Sequence, residues 1–252
     1  MSLRVTMLGS GTSTGIPVIG CTCRVCQSEN PRNKRWRPGL KLEAEDRVVL
    51  VDTPIDLREQ ALRFGLPRLD AIVFTHSHAD HIFGLDDVRI FNFRQRAPIP
   101  CYGSEETLGR IRRSFAYVWE AGQEGGGKPQ LELVPVREPF ALLDRTFVPV
   151  PVWHGEMEVF GYRIGRFAYV TDCSRIPESS FELLAGVEIL ILDALRHRPH
   201  PTHFSVEQAT AAARRIGARR TIFTHMTHEV DHDDPLPDGV EFGYDGLAFD
   251  AD

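Results

Sequence analysis

The chain contains His76-Ser77-His78-Ala79-Asp80-His81, which places three histidines and an aspartate within six residues. The apolar run Ala71-Ile72-Val73-Phe74 precedes it and reads as a buried strand. A strand that ends in a tight His-x-His-x-Asp-His turn points several donor atoms at one spot. Imidazoles and carboxylates suit zinc, manganese or iron, and donors this dense can hold two ions. Two such ions roughly 3.5–4 Å apart generate hydroxide at neutral pH and clamp both oxygens of a displacement. This segment therefore argues for a dinuclear metallohydrolase.

More ligands are required, and they are expected where other strands end. Val150-Pro151-Val152-Trp153 runs into His154, Phe167-Ala168-Tyr169-Val170-Thr171 into Asp172, and Thr221-Ile222-Phe223-Thr224 into His225. A lone histidine at a strand end is more often structural, but three such ends repeating one pattern argue jointly. One ion is assigned His76, His78 and His154, and the other Asp80, His81 and His225. Asp172 bridges them through its two oxygens. Each ion then keeps an open position, as catalytic sites need. Asp52, also after a strand, is placed to orient a ligand histidine.

A second metal site is legible in Cys21-Thr22-Cys23-Arg24-Val25-Cys26. Three thiolates in a Cys-x-Cys-x-x-Cys knuckle suit a closed, structural zinc, and His228 is the best fourth ligand. Cys101 and Cys173 are read as structural.

The remaining pattern mixes strands with helices throughout, without repeats or a low-complexity linker. One α/β domain over residues 1–252 is expected, with the zinc knuckle around 20–38. A first strand covers residues 4–8 and a hairpin covers 40–52. Helices are expected at 57–64, 84–94, 105–115 and 205–216, the last stopped by Gly217. Further strands are read at 131–134, 146–152, 159–164, 167–171 and 187–192, and the last at 220–224. Residues 122–129 read as a mobile surface loop. The Gly-rich stretch at residues 9–15 is a candidate for donating backbone N–H groups to phosphate, although it lacks P-loop and Rossmann spacing.

The net charge is −6 and the pI near 5.9, which weighs against a polyanion-coating protein. No apolar run reaches bilayer length, and the N-terminus does not read as a signal peptide. A cytoplasmic protein without membrane contact is expected, and a homodimer is the base-rate oligomer.

His76-x-His78-x-Asp80-His81, followed in order by His154, Asp172 and His225, resembles the metallo-β-lactamase superfamily. That resemblance implies a four-layer αββα sandwich around a dinuclear site. A closer resemblance is to the PhnP-type phosphodiesterases. It rests on the Gly-rich loop, the Cys21/Cys23/Cys26 knuckle, the His225-Met226-Thr227-His228 pair and the ending Leu236-Pro237-Asp238-Gly239…Gly243-Tyr244-Asp245-Gly246-Leu247. It implies two catalytic divalent metals (zinc or manganese), one structural zinc that includes His228, and a small, cyclic phosphodiester substrate such as a ribosyl cyclic phosphate, opened by metal-bound hydroxide. It also implies a general-acid histidine before the late helix, offered here by His203 ahead of His200. His203 and Asp80 are accordingly the catalytic candidates. The knuckle also occurs in PqqB-type proteins, and an acyl target remains the alternative. Ribonuclease Z resembles the core, but no long basic arm for gripping tRNA is present.

Overall fold

The computed structural model describes residues 2–121 and 127–251. Six strands form first: β1 (Leu3–Gly9), β2 (Gly39–Ala44), β3 (Arg47–Val51), β4 (Ala71–Val73), β5 (Ile99–Gly103) and β6 (Leu131–Pro135). Seven more follow: β7 (Phe140–Leu142), β8 (Arg145–His154), β9 (Met157–Ile164), β10 (Phe167–Val170), β11 (Ile189–Asp193), β12 (Arg220–Thr224) and β13 (Val240–Phe242). The last strand, β14 (Ala248–Ala251), crosses back to pair with β1. Two seven-stranded sheets result, ordered β14-β1-β2-β3-β4-β5-β6 and β13-β12-β11-β10-β9-β8-β7.

Period-two alternation explains the layering. In β3, Val49 and Val51 enter the core between the sheets, while Val48 and Leu50 face outward. In β10, Phe167 and Tyr169 point inward and Ala168 and Val170 outward. Both faces of each strand are apolar because both are covered. Helices α1 (Arg24–Gln27), α2 (Leu57–Phe64), α3 (Ala79–Ile82), α4 (Arg89–Gln95) and α5 (Glu105–Ser114) belong to the first half of the chain, and α6 (Glu178–Leu184) and α7 (Val206–Ile216) to the second. Leu57, Phe91, Leu108 and Ile111 cover the first sheet, and Leu184, Ala209 and Ala213 the second. This is the expected αββα sandwich.

The expected elements recur with local corrections. Residues 84–94 are not one helix, because a 3₁₀ turn over Leu85–Val88 precedes α4. The strand at 220–224 is not the last, since β13 and β14 follow it. α7 begins with a capping box between Ser205 and Gln208 and ends at Gly217 in the left-handed conformation. Part of the surface loop expected at 122–129 lies outside the described residues. No helix among the described residues is long and apolar enough to cross a membrane.

Candidate metal centre

The strand ends converge where the two sheets open. Asp52, Asp172 and His225 each follow a strand and take positive φ (65°, 51° and 61°), a conformation unusual for residues other than glycine. It turns their side chains back over the sheet ends, as sparsely populated backbone often does at functional sites. Two cross-sheet bonds hold the His-rich turn in place: the Tyr162 hydroxyl donates to the Phe74 carbonyl (2.8 Å) and Phe160 N–H to the Thr75 carbonyl (3.1 Å).

Asp52 organises the first ligands. Its carboxylate accepts from Thr75 N–H (2.8 Å), the Thr75 hydroxyl (2.8 Å) and His81 Nδ1 (2.8 Å). A carboxylate only accepts, so His81 Nδ1 carries a hydrogen and Nε2 is the nitrogen left for a proton or a cation. The Thr75 hydroxyl spends its one proton on Asp52, so it accepts from His76 Nδ1 at 3.0 Å. His154 Nδ1 donates to the Thr202 carbonyl at 2.7 Å. In all three, the Nε2 lone pair is turned into the site. His76 Nε2 and His81 Nε2 are buried with no hydrogen-bond partner.

These nitrogens, and Nε2 of His225, face carboxylates. His81 Nε2 lies 3.2 Å from Asp172 Oδ2 and 3.7 Å from Asp80 Oδ2. His225 Nε2 lies 3.3 Å from Asp172 Oδ1 and 3.4 Å from Asp80 Oδ2. His76 Nε2 is 3.8 Å from Asp172 Oδ1. Lone pairs facing anions in a buried site repel unless positive charge lies between them, so the donor set fits divalent cations. His76, His78, His154 and Asp172 form one group able to hold an ion, and Asp80, His81 and His225 a second. The expected ligands are thus brought together; Asp172 also lies 3.2 Å from His81 and 3.3 Å from His225, with which it and His203 form a third, overlapping group.

The electrostatics agree. Asp172, although buried, is held well below the usual carboxylate range by His225, His81 and His76. Burial pushes His76 well below the ordinary imidazole value. His81 is driven well above it, since Asp172, Asp80 and Asp52 outweigh the cost of its burial, so that a proton and a cation compete for its Nε2.

His203 stands beside this cluster. Its Nε2 is 4.0 Å from Asp172 Oδ1, and its ring stacks on His225 at 4.8 Å. Burial lowers its pKa, but Asp193, 3.0 Å from Nδ1, reverses this and brings it to about 9. Cations bound nearby would pull that value back toward neutrality. His200 instead points its Nδ1 at Thr202, 3.2 Å from the hydroxyl.

Asp193, absent from the sequence reading, is fully buried at the end of β11. Oδ2 accepts from Cys173 N–H (2.9 Å) and Phe204 N–H (3.3 Å) as well as His203. The apolar strand ending in a ligand, which singled out Asp172 and His225, marks it too; the expected strand stopped one residue short.

Three residues past His225, His228 turns to the knuckle. Its Nδ1 lies 3.2, 3.6 and 3.5 Å from the sulfurs of Cys21, Cys23 and Cys26. A tetrahedral zinc bonded to sulfur at about 2.3 Å and nitrogen at about 2.0 Å sets that separation near 3.5 Å. The four donors therefore fit zinc closely. The Cys26 amide at 3.4 Å helps bring the Cys23 thiol down to about 7, as a ligand thiolate requires. Arg35 holds this segment, donating to the Thr227 (3.1 Å) and Val230 (2.9 Å) carbonyls.

Most amides of the Gly-rich loop are engaged within the protein. Ser10 N–H donates to Asp245, Gly11 N–H to the Trp36 carbonyl, Thr12 N–H to that of Met226 and Gly15 N–H to that of Thr12. Those four amides are spent inside the protein, which leaves only the Ser13 and Thr14 amides of residues 10–15 for a ligand. Glycine is needed for packing instead: a Cβ on Gly9 would fall 1.9 Å from the Arg37 carbonyl oxygen.

Residues 47–226 match the Beta-lactamase superfamily domain family. A crystal structure of a diphosphatase from the PhnP family superposes with TM-score 0.94 at 44% identity, covering 100% of this chain and 98% of that one. Zn²⁺-bound PqqB from Methylobacterium extorquens superposes with TM-score 0.82 at 19% identity, covering 98% and 100%, and shares the fold. An octanoyltransferase of Porphyromonas gingivalis is 37% identical over 97% of this chain, which spans about half (51%) of that longer protein.

Proposed function

Because the chain belongs to the metallo-β-lactamase superfamily and, within it, to the PhnP family, we propose that it is a metal-dependent phosphodiesterase acting on small, cyclic phosphodiesters. The observation that carries this reading is His203, bonded through Nδ1 to Asp193 and with Nε2 4.0 Å from Asp172 Oδ1, beside the two donor groups between which Asp172 lies. Hydrolysis of an alkyl phosphodiester needs a proton for its departing alkoxide, and a positioned acid supplies it.

His76, His78, His154 and Asp172 hold one catalytic cation, and Asp80, His81 and His225 the second, each zinc or manganese. Such cations supply Lewis acidity, lower the pKa of water and template an in-line displacement. The chain's own residues do the rest. Asp52 fixes the tautomer of His81 directly and that of His76 through Thr75. The Thr202 carbonyl does the same for His154. Asp193 holds the proton-bearing His203 with Nε2 facing the cluster. Cys21, Cys23, Cys26 and His228 take a structural zinc. The 44% identical neighbour is a diphosphatase, which supports phosphorus as the target atom.

The test is hydrolysis of bis(p-nitrophenyl) phosphate by protein reconstituted with manganese or zinc, beside His76→Ala. Turnover that depends on metal and is lost in the variant supports the reading. A metal-loaded sample that leaves the diester intact but cleaves thioesters or lactones would replace it with the acyl alternative.

A further inference from the structure

The loop over residues 196–202 delivers two pieces of the centre: the Thr202 carbonyl, which accepts from His154 Nδ1 at 2.7 Å, and His203 directly after it. Backbone bonds close only its base, where Leu195 N–H meets the Phe204 carbonyl and Val206 N–H the Arg196 carbonyl. Among the described residues, no backbone–backbone hydrogen bond reaches residues 197–203. Pro199 and Pro201 stiffen the loop but have no N–H to donate. Side chains must therefore set its course.

Those side chains reach one segment, residues 228–234. The Arg198 guanidinium donates twice to Glu229, at 2.8 and 2.9 Å, and Arg196 stands 3.5 Å from the same carboxylate. His197 Nε2 donates to Asp234 Oδ2 at 2.9 Å. Arg196 braces the loop from within, donating to the carbonyls of Arg198 (3.3 Å) and Pro199 (3.2 Å). A single exposed ion pair contributes little, but a bidentate pair that shares its carboxylate with a second guanidinium is a network with defined geometry. Asp193, at the end of β11, orients the His203 ring, whereas these pairs place the backbone that leads into it.

The cysteine knuckle holds the same segment from its other side. His228 turns into the three sulfurs. Arg24, between Cys23 and Cys26, lies 2.6 Å from Asp231 Oδ2 and 3.9 Å from Asp234 Oδ1. Asn30 donates to Asp233 at 3.1 Å, and the buried Asn33 to Asp231 at 3.0 Å. Asp234 thus faces Arg24 of the knuckle with one oxygen and His197 of the acid's loop with the other. Residues 228–234 form a splint between the two.

We propose that Glu229 and Asp234 are positioning residues for the general acid, through which the cysteine knuckle sets the loop that carries His203. The inference rests on the phosphodiesterase reading above. Loosening the splint acts on the acid more than on the metal ligands, because His154 ends β8 and keeps its place through that strand.

The test uses metal-loaded protein that turns over bis(p-nitrophenyl) phosphate. It compares that ester with a ribosyl cyclic phosphate, whose alkoxide needs a proton to leave. Glu229→Gln combined with Asp234→Asn should slow opening of the cyclic ester by about three- to ten-fold, the reach of a few weak ion pairs acting together, and should slow the nitrophenyl ester markedly less. Arg198→Lys, which keeps a charge beside Glu229, should fall between the wild type and the double variant. Hydrogen exchange followed by mass spectrometry should rise over residues 197–203 in the double variant. It should rise there in Cys23→Ser as well, although that change lies in the knuckle; if Cys23→Ser does not fold, Arg24→Ala, which touches no sulfur, is read in its place. Equal slowing of both esters, an unchanged rate on the cyclic ester, no opening of the cyclic ester by the wild type, or loop exchange that ignores the knuckle variant would overturn the proposal. Failure of the wild type on bis(p-nitrophenyl) phosphate would instead remove the phosphodiesterase reading beneath it.

Discussion

Asp193 Oδ2 lies 3.0 Å from His203 Nδ1, while Asp193 Oδ1 lies 3.9 Å from His225 Nδ1. One buried carboxylate thus addresses the acid through one oxygen and a metal-ligand candidate through the other. Oδ1 and His225 Nδ1 have no hydrogen-bond partner, so the constraint falls mainly on His203. Removing the negative charge while keeping the shape isolates that constraint. Asp193→Asn should slow alkyl phosphodiesters by about ten- to a hundred-fold, within the usual contribution of a general acid. It should slow nitrophenyl esters much less, because nitrophenolate leaves without a proton. Equal slowing of both would mean that Asp193 acts on the metal cluster instead.

His203→Ala should show the same selectivity more strongly, with losses of about 10²–10⁴ on alkyl leaving groups. His200→Ala should not, because His200 turns toward Thr202. Rates measured for a series of leaving groups of rising pKa check both, and a steeper dependence in His200→Ala than in His203→Ala would reverse their roles.

Asp172 belongs to the donor group of His78 and also lies 3.2 Å from His81 in the other, whereas His78 and His81 each belong to one. Replacing a shared ligand should therefore cost more metal than replacing an unshared one. Asp172→Ala should lower bound metal by about two equivalents per chain, and His78→Ala by about one. Elemental analysis after equilibration with limiting zinc checks this. Losses of equal size would show that the two sites do not share Asp172.

Much of this centre is legible in the chain because each ligand follows an apolar run that can only be a buried strand. The His-rich turn, His154, Asp172 and His225 all carry that signature. Asp193 carries it as well, but its β11 neighbours the strand ending in Asp172, and an aspartate there reads equally as an ordinary strand terminator. Asp52 was legible as a support, but Thr75, which relays it to His76, was not: a threonine in a strand raises no signal until its hydroxyl geometry is seen. The glycines of the Gly-rich loop have a different cause. Glycine spacing reports that backbone comes close to something, and here that something is the Arg37 carbonyl, not a ligand. β13 and β14 escaped because three- and four-residue strands are too short to show alternation, and the pairing of β14 with β1 is a long-range event.

The knuckle lies apart from the reacting centre, yet His228 and His225 share one short segment. Cys23→Ser should remove one zinc equivalent while sparing the other two, and it should lower Tm, because a structural zinc contributes its binding energy to folding. Calorimetry with metal analysis on the same sample checks this. A variant that keeps three equivalents would exclude Cys23 as a ligand.

Asp245 offers a pH test at a group that is not itself a metal ligand. Its carboxylate accepts from Ser10 N–H (2.9 Å), the Ser10 hydroxyl (2.8 Å) and Trp36 N–H (2.7 Å). Burial nevertheless outweighs these donors and raises its pKa to about 7. The unfolded value is about 3.9, so between pH 4 and 7 the folded protein binds more protons than the unfolded chain. Stability must then fall as pH rises through that window and level off above it, with a slope from this group of at most about 1.4 kcal/mol per pH unit. Asp245→Asn should flatten that part of the profile, although it places an amide where Trp36 N–H now finds an acceptor and so lowers stability at every pH. Denaturant midpoints of both proteins from pH 4.5 to 8 check the sign: profiles that stay parallel would mean that Asp245 is ionised throughout and that its three donors outweigh its burial.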